Sequence, residues 1–184
     1  MDHAVNIDQK NTTRRHFLGA AGLAVGAAVL GTTKMALAAD GKQDGDASIR
    51  AFVDEMYQAI WFDKGGWIDS DRLRSVMHPQ GQFAWAEDGG FRMVYIDEFL
   101  KLFGDGFKAD GIYSLHERSL GMKAFSFGDV AQVFDTYEAT FNDGAFIARG
   151  VNAYQLVKVA GNWKCISLAW HEESTDMKLP CGGF

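Results

Sequence analysis

Two hydrophobic rhythms divide the chain. Between residues 48 and 103 apolar positions recur at helical spacing, and from Ile112 onward they alternate every second residue. Ile49, Phe52, Val53, Met56, Tyr57 and Ile60 form one stripe at the 3.6-residue period. This predicts a first helix, capped by Asp46 or Ser48 and released near Lys64-Gly65-Gly66. Asp69 or Ser70 can cap a short second helix carrying Leu73, Val76 and Met77, which Pro79 should stop. Residues 82–87 read as a short strand closed by Asp88-Gly89-Gly90. Ile96, Phe99, Leu100 and Phe103 predict a third helix, with Gly104 as its terminator. Four long strands follow, at 112–126, 130–141, 146–159 and 163–173. Phe127-Gly128-Asp129, Asn142-Asp143-Gly144 and Ala160-Gly161-Asn162 supply hairpin chemistry between them. Three helices that must bury their stripes against an antiparallel meander give an α+β layer pair. The long sheet is expected to bend strongly around the helices and leave a hollow.

Residues 1–38 have a different character. Thr13-Arg14-Arg15-His16-Phe17-Leu18 leads into a Gly/Ala/Val/Leu run as far as Gly31, and Ala36-Leu37-Ala38 places small residues at alternate positions. The segment resembles a twin-arginine export signal, departing from the pattern at Gly19. The resemblance implies the twin-arginine translocase as a transient partner, cleavage after Ala38, and a periplasmic or secreted product. Residues 17–31 are too few to cross a hydrocarbon core of about 30 Å, so no stable membrane anchor is expected. The chain then divides into a flexible leader at 39–47, one domain at 48–173 and a tail at 174–184.

Composition narrows the function classes. The 184 residues carry 18 Lys and Arg against 24 Asp and Glu, a net charge of -6, and removing the signal makes the balance more acidic. This disfavours a nucleic-acid groove, whose affinity rests on neutralising phosphates. A hydrophobic content of 47% with 13% aromatics is enough to build a packed core. Cys-x-x-Cys, a Gly-rich phosphate loop, Gly-x-Ser-x-Gly and His-Glu-x-x-His are all missing, so neither a cofactor nor a metal is expected. His171, Met177 and Cys181 form only a scattered soft-ligand set. Cys165 and Cys181 can pair in an oxidising compartment, or Cys165 can stay an inert buried thiol.

Arg149-Gly150-Val151-Asn152-Ala153-Tyr154, followed by alternation to Gly161-Asn162-Trp163-Lys164-Cys165-Ile166, resembles the final hairpin of the nuclear transport factor 2-like superfamily. Gly128-Asp129-Val130-Ala131 is similar to that family's turn into the preceding strand. The resemblance covers residues 48–173. It implies three helices on a strongly bent antiparallel meander forming a cone, and a homodimer paired through the outer sheet face. Polyketide cyclases, ketosteroid isomerases and scytalone dehydratases share that superfamily, with Asp or His bases and Tyr or Asp donors.

Strand alternation supplies the candidate residues. His116 and Arg118 project from one face of the first long strand and Glu117 from the other. In the last strand, Cys165, Ser167, Ala169 and His171 share one face, and Ile166, Leu168, Trp170 and Glu172 the other. His116 or Asp135 is the candidate general base and Tyr137 the hydrogen-bond donor. His116 and Asp135 can equally form a structural bond between neighbouring strands. Trp61, Phe83, Trp85 and Phe99 are expected to line an apolar pocket, with Arg118 and Asn152 as polar ligand contacts. Arg149 is read as a counter-charge to a carboxylate, and His171 as a rim or dimer residue. The sequence thus predicts an exported protein that holds a small, largely apolar molecule. The alternatives are a cofactor-independent isomerase, cyclase or dehydratase, and a non-catalytic structural or accessory dimer.

Overall fold

The computed structural model describes residues 47–87 and 90–179. The twin-arginine segment, nearly all of the leader and Cys181 lie outside the described residues.

Helix α1 (Ala47–Ile60) buries Ile49, Phe52, Val53, Met56 and Tyr57 of the predicted stripe, with Ile60 half-buried at its end. Its first turn is tied to the far end of the chain, because Trp163 Nε1 donates to Ser48 Oγ at 2.9 Å. Asp69 caps α2 (Ser70–Val76) by accepting from the Arg72 amide at 3.0 Å. The backbone turns extended at Met77, where β1 (Met77–Glu87) begins two residues before Pro79. The proline is tolerated there because the β1 ladder jumps from Met77 to Gln82, so its missing N–H interrupts nothing.

β1 begins five residues before the predicted strand, and two larger departures follow. A separate strand β2 (Gly90–Tyr95) pairs antiparallel with β1, although residues 90–95 show no clear alternation. Helix α3 (Ile96–Ala109) runs through Gly104 instead of ending there. A Cβ on Gly104 would lie 3.3 Å from the Trp67 ring, so this glycine makes room for an indole rather than a helix stop.

Strands β3 (Leu115–Phe127), β4 (Val130–Phe141), β5 (Phe146–Val159) and β6 (Asn162–Glu172) form the expected antiparallel succession. The sheet as a whole corrects the expectation of a strongly bent antiparallel cone. It is a mixed sheet of six strands in the order β2-β1-β6-β5-β4-β3, with β1 parallel to β6. It is not strongly curled. The short strand of the helical half docks beside the last strand and widens the layer, so three helices find a broad floor that need not wrap around them. β2 and β3 remain separate edges. Two β-bulges interrupt the alternation, at Leu120 opposite β4 and at Ile166 opposite β5. No helix among the described residues is long and apolar enough to cross a membrane.

Candidate functional site

A cavity of about 310 Å³ opens between the helices and the inner face of the sheet. Its apolar wall comes mostly from aromatics. Phe83 stacks on Phe99 at 3.9 Å between centroids, Trp85 on Trp170 at 5.0 Å, and Phe103 lies 4.2 Å from Phe99. β1 contributes Phe83 and Trp85 at alternate positions, and α3 contributes Phe99, Phe103 and Phe107 one turn apart. Most of the wall is thus built where the two predicted rhythms meet.

Strand register assembles the polar end. Asp135 pairs with Asn152 and Asn152 with Trp170, which form one row across β4, β5 and β6. The adjacent row runs Ser119, Tyr137, Gly150, Glu172. Gly150 is obligatory in that row, since a Cβ there would sit 2.3 Å from the His171 carbonyl and 2.7 Å from the Tyr137 hydroxyl. The Tyr137 ring lies across the space that a side chain would fill.

A buried hydrogen-bond chain links these rows. Tyr57 on α1 donates to Asp135 Oδ2, and Ser119 donates to Asp135 Oδ1. Asn152 Nδ2 donates to the Tyr57 hydroxyl and to Glu117 Oε1, both at 3.2 Å. Asp135 is fully buried and stands behind Tyr57, off the cavity wall, whereas Tyr57, Glu117 and Asn152 line it. Burial pushes the Asp135 carboxyl up to about 6, against the lowering effect of the Ser119 and Tyr57 hydroxyls. Burial likewise raises Glu117 to about 8, opposed by the Asn152 bond and helped by the charges of Asp135 and Glu172. Glu172 rises to about 7 through burial alone. The Tyr137 phenol is held well above its ordinary range by burial, then by Glu172 and Glu117, and so keeps its proton as a donor.

Phe83, Trp85, Phe99, Tyr137 and Asn152 stand on the cavity wall. Trp61, His116 and Arg118 do not. His116 Nε2 bonds to Asp63 at 2.8 Å and its ring stands 4.6 Å from Trp61, which is 47% exposed. His116 and Asp135 therefore occupy opposite faces of the sheet, because Glu117 and Asp135 take the inner one. Arg118 and Arg149 both clasp Glu138 on the outer face, at 2.7 and 2.6 Å. His171 is exposed, with Nδ1 2.8 Å from the Glu172 carbonyl oxygen. Cys165 is a free, buried thiol, which burial pushes up to about 12. Among the described residues no group of three or more His, Cys, Asp or Glu is placed to hold a metal ion.

Sequence reasoning left Tyr57, Tyr154 and Glu172 without a role in the site. Tyr57 and Tyr154 sit in apolar stripes and read as core. The Ile166 bulge defeats simple alternation in β6, bringing Cys165 and Leu168 to the same inner face. Glu117 was readable as the residue facing away from His116 and Arg118, but only the fold shows that its face is the enclosed one.

No family model and no curated protein matches the sequence. Solved structures do match the fold. A protein of unknown function with a cystatin-like fold from Nostoc punctiforme is 14% identical, with 70% of this chain and 91% of that chain covered at a TM-score of 0.55. A protein from Novosphingobium aromaticivorans, provisionally named a scytalone dehydratase, is 14% identical over 73% of this chain and 88% of its own at 0.53. A provisionally named ketosteroid isomerase from Shewanella frigidimarina is 16% identical over 68% and 95% at 0.50. At these identities the likeness speaks to architecture alone, and that architecture is the nuclear transport factor 2-like α+β fold.

Proposed function

We propose that the protein binds a small, largely apolar, ring-bearing molecule in the cavity between helices and sheet. The observation that carries this is a space of about 310 Å³ walled by aromatic side chains and ending in a few convergent polar groups. The volume is near the lower end of small-molecule sites, which fits a ligand of one or two fused rings. The neutral dye N-phenyl-1-naphthylamine, titrated into the full chain, should brighten on binding. Ala139→Phe, inside the cavity, and Ala145→Trp, at an exposed lining position, should each weaken that binding about tenfold or more. A dark titration with the wild type, or equal binding by both variants, would refute the reading.

A second reading, cofactor-independent isomerisation, cyclisation or dehydration, draws support from carboxyl groups held near neutrality beside the Tyr137 hydroxyl. In that reading the proton would pass through Glu117 or Glu172, which face the cavity, rather than through His116. Hydrogen–deuterium exchange at the carbon beside the carbonyl of a small cyclic ketone, abolished by Tyr137→Phe, is its test.

Export and pairing complete the proposal. Replacing Arg14 and Arg15 by lysine should hold the protein in the cytoplasm, and the exported form should begin at Ala39. The outer sheet face carries exposed Phe125, Phe127, Val130, Phe134 and Ile147, a surface suited to a second copy of the chain. Light scattering should report twice the chain mass, and Phe134→Lys should shift it toward one.

A further inference from the structure

We propose that the ligand class is a lipophilic amine held as its ammonium ion; this deepens, and rests on, the binding reading above. The charged side chains on the cavity wall are Asp110, Glu117 and Glu172, and no Lys, Arg or His joins them among the described residues. The nearby cations are committed elsewhere. Arg118 and Arg149 are on the outer face, clasping Glu138, and His116 is bonded to Asp63. A carboxylate ligand would thus find no cation on the wall to pair with.

Beside the Tyr137 hydroxyl, the polar end offers carboxyl oxygens that no protein donor engages among the described residues. Glu117 Oε1 takes the Asn152 amide, and no described donor reaches Oε2. No described donor reaches the Glu172 carboxyl. Tyr154 also lines the cavity, with its hydroxyl buried beside Tyr57. An ammonium group brings three donors and one positive charge, which answers these acceptors and compensates carboxylates that are costly to ionise alone. The faces of Trp85, Trp170, Phe99 and Phe103 add a surface that attracts cations and accepts an apolar ring.

The titrating groups around the ammonium would be Glu117 on β3, Tyr137 on β4, Tyr154 on β5, Glu172 on β6, Tyr57 on α1 and Asp110 after α3, with Asp135 behind Tyr57. Burial holds protons on Glu117 and Glu172 near neutral pH, so an arriving cation should expel them. Amine affinity should therefore rise between pH 6 and 8.5, in the direction opposite to simple loss of the ligand's own charge.

Isothermal titration of the full chain with three naphthalenes of one shape tests this: 2-naphthylmethylamine, 2-naphthalenemethanol and 2-naphthoate. At pH 7.5 the amine should bind at least about tenfold more tightly than the alcohol, and the acid most weakly. Its binding heat should depend on the buffer's ionisation enthalpy, reporting proton release, and Glu172→Gln or Glu117→Gln should reduce the amine-to-alcohol ratio. Equal binding of amine and alcohol, stronger binding of the acid, or a ratio that neither variant moves would overturn the ammonium assignment while the cavity reading stands. Failure of all three to bind would overturn both.

Discussion

At the scale of single residues, Asp135 shows how a site can depend on a group that does not touch it. Its two carboxylate oxygens accept from Tyr57 and Ser119, and Tyr57 in turn receives the Asn152 amide that also holds Glu117. Asp135→Ala should leave the buried Tyr57 hydroxyl and the half-buried Ser119 hydroxyl without their acceptor and cost roughly 1–3 kcal/mol, read from urea denaturation. Asp135→Asn keeps one acceptor oxygen and should cost less than half as much. If both variants unfold at the wild-type urea concentration, the chain of bonds described here is not structural. The sequence revealed Asp135, Tyr137 and Asn152 as polar residues within alternating strands. It could not reveal their partners, because Tyr57 lies 78 positions from Asp135 and looks like any aromatic in an apolar helix stripe.

At the scale of elements, the helix/strand partition followed from periodicity because each element buries one face. The errors came where a local signal had a second physical use. Gly104 looked like a stop and is instead a seat for Trp67. Pro79 does follow the end of α2, as expected, but it also sits inside β1, which starts five residues before the predicted strand, at a point where the ladder is open. The bulges at Leu120 and Ile166 reverse the side-chain parity halfway along β3 and β6, and nothing in their composition announces them. The Gly104 reading is testable. Gly104→Ile should lower the melting temperature by displacing Trp67, an overpacking cost of about 1–3 kcal/mol, and tryptophan fluorescence should shift with it. An unchanged melting temperature would mean that the indole does not need the space.

At the scale of the whole molecule, buried carboxyls set the response to pH. Glu117, Glu172 and Asp135 retain protons in the folded state up to about 8, 7 and 6, whereas in an unfolded chain they lose them near their ordinary values of 4.5 and 3.8. Their contribution is therefore complete at low pH and declines as pH rises through the folded values, a loss of about 2 kcal/mol or more by pH 8.5. Glu138 and Glu55, held below the usual range chiefly by hydrogen bonds from Arg149 and Arg72, act with the opposite sign and weaken the fold only as pH falls below about 4.5. Thermal denaturation should thus show greatest stability near pH 5 and a falling melting temperature toward pH 8.5, with Glu117→Gln flattening that fall. A melting temperature that climbs from pH 5 to 8.5 would contradict the burial of these groups.

The parallel seam between β1 and β6 also bears on how the chain is made. Residues 77–87 can pair with residues 90–95 early, but their other edge must wait for residues 162–172, so a nascent chain carries β1 half-paired and the Trp85 indole without Trp170 until synthesis is almost finished. Chains stalled before residue 162 should remain protease-sensitive and recruit holdase chaperones, with protection gained in one step once the last strand clears the ribosome.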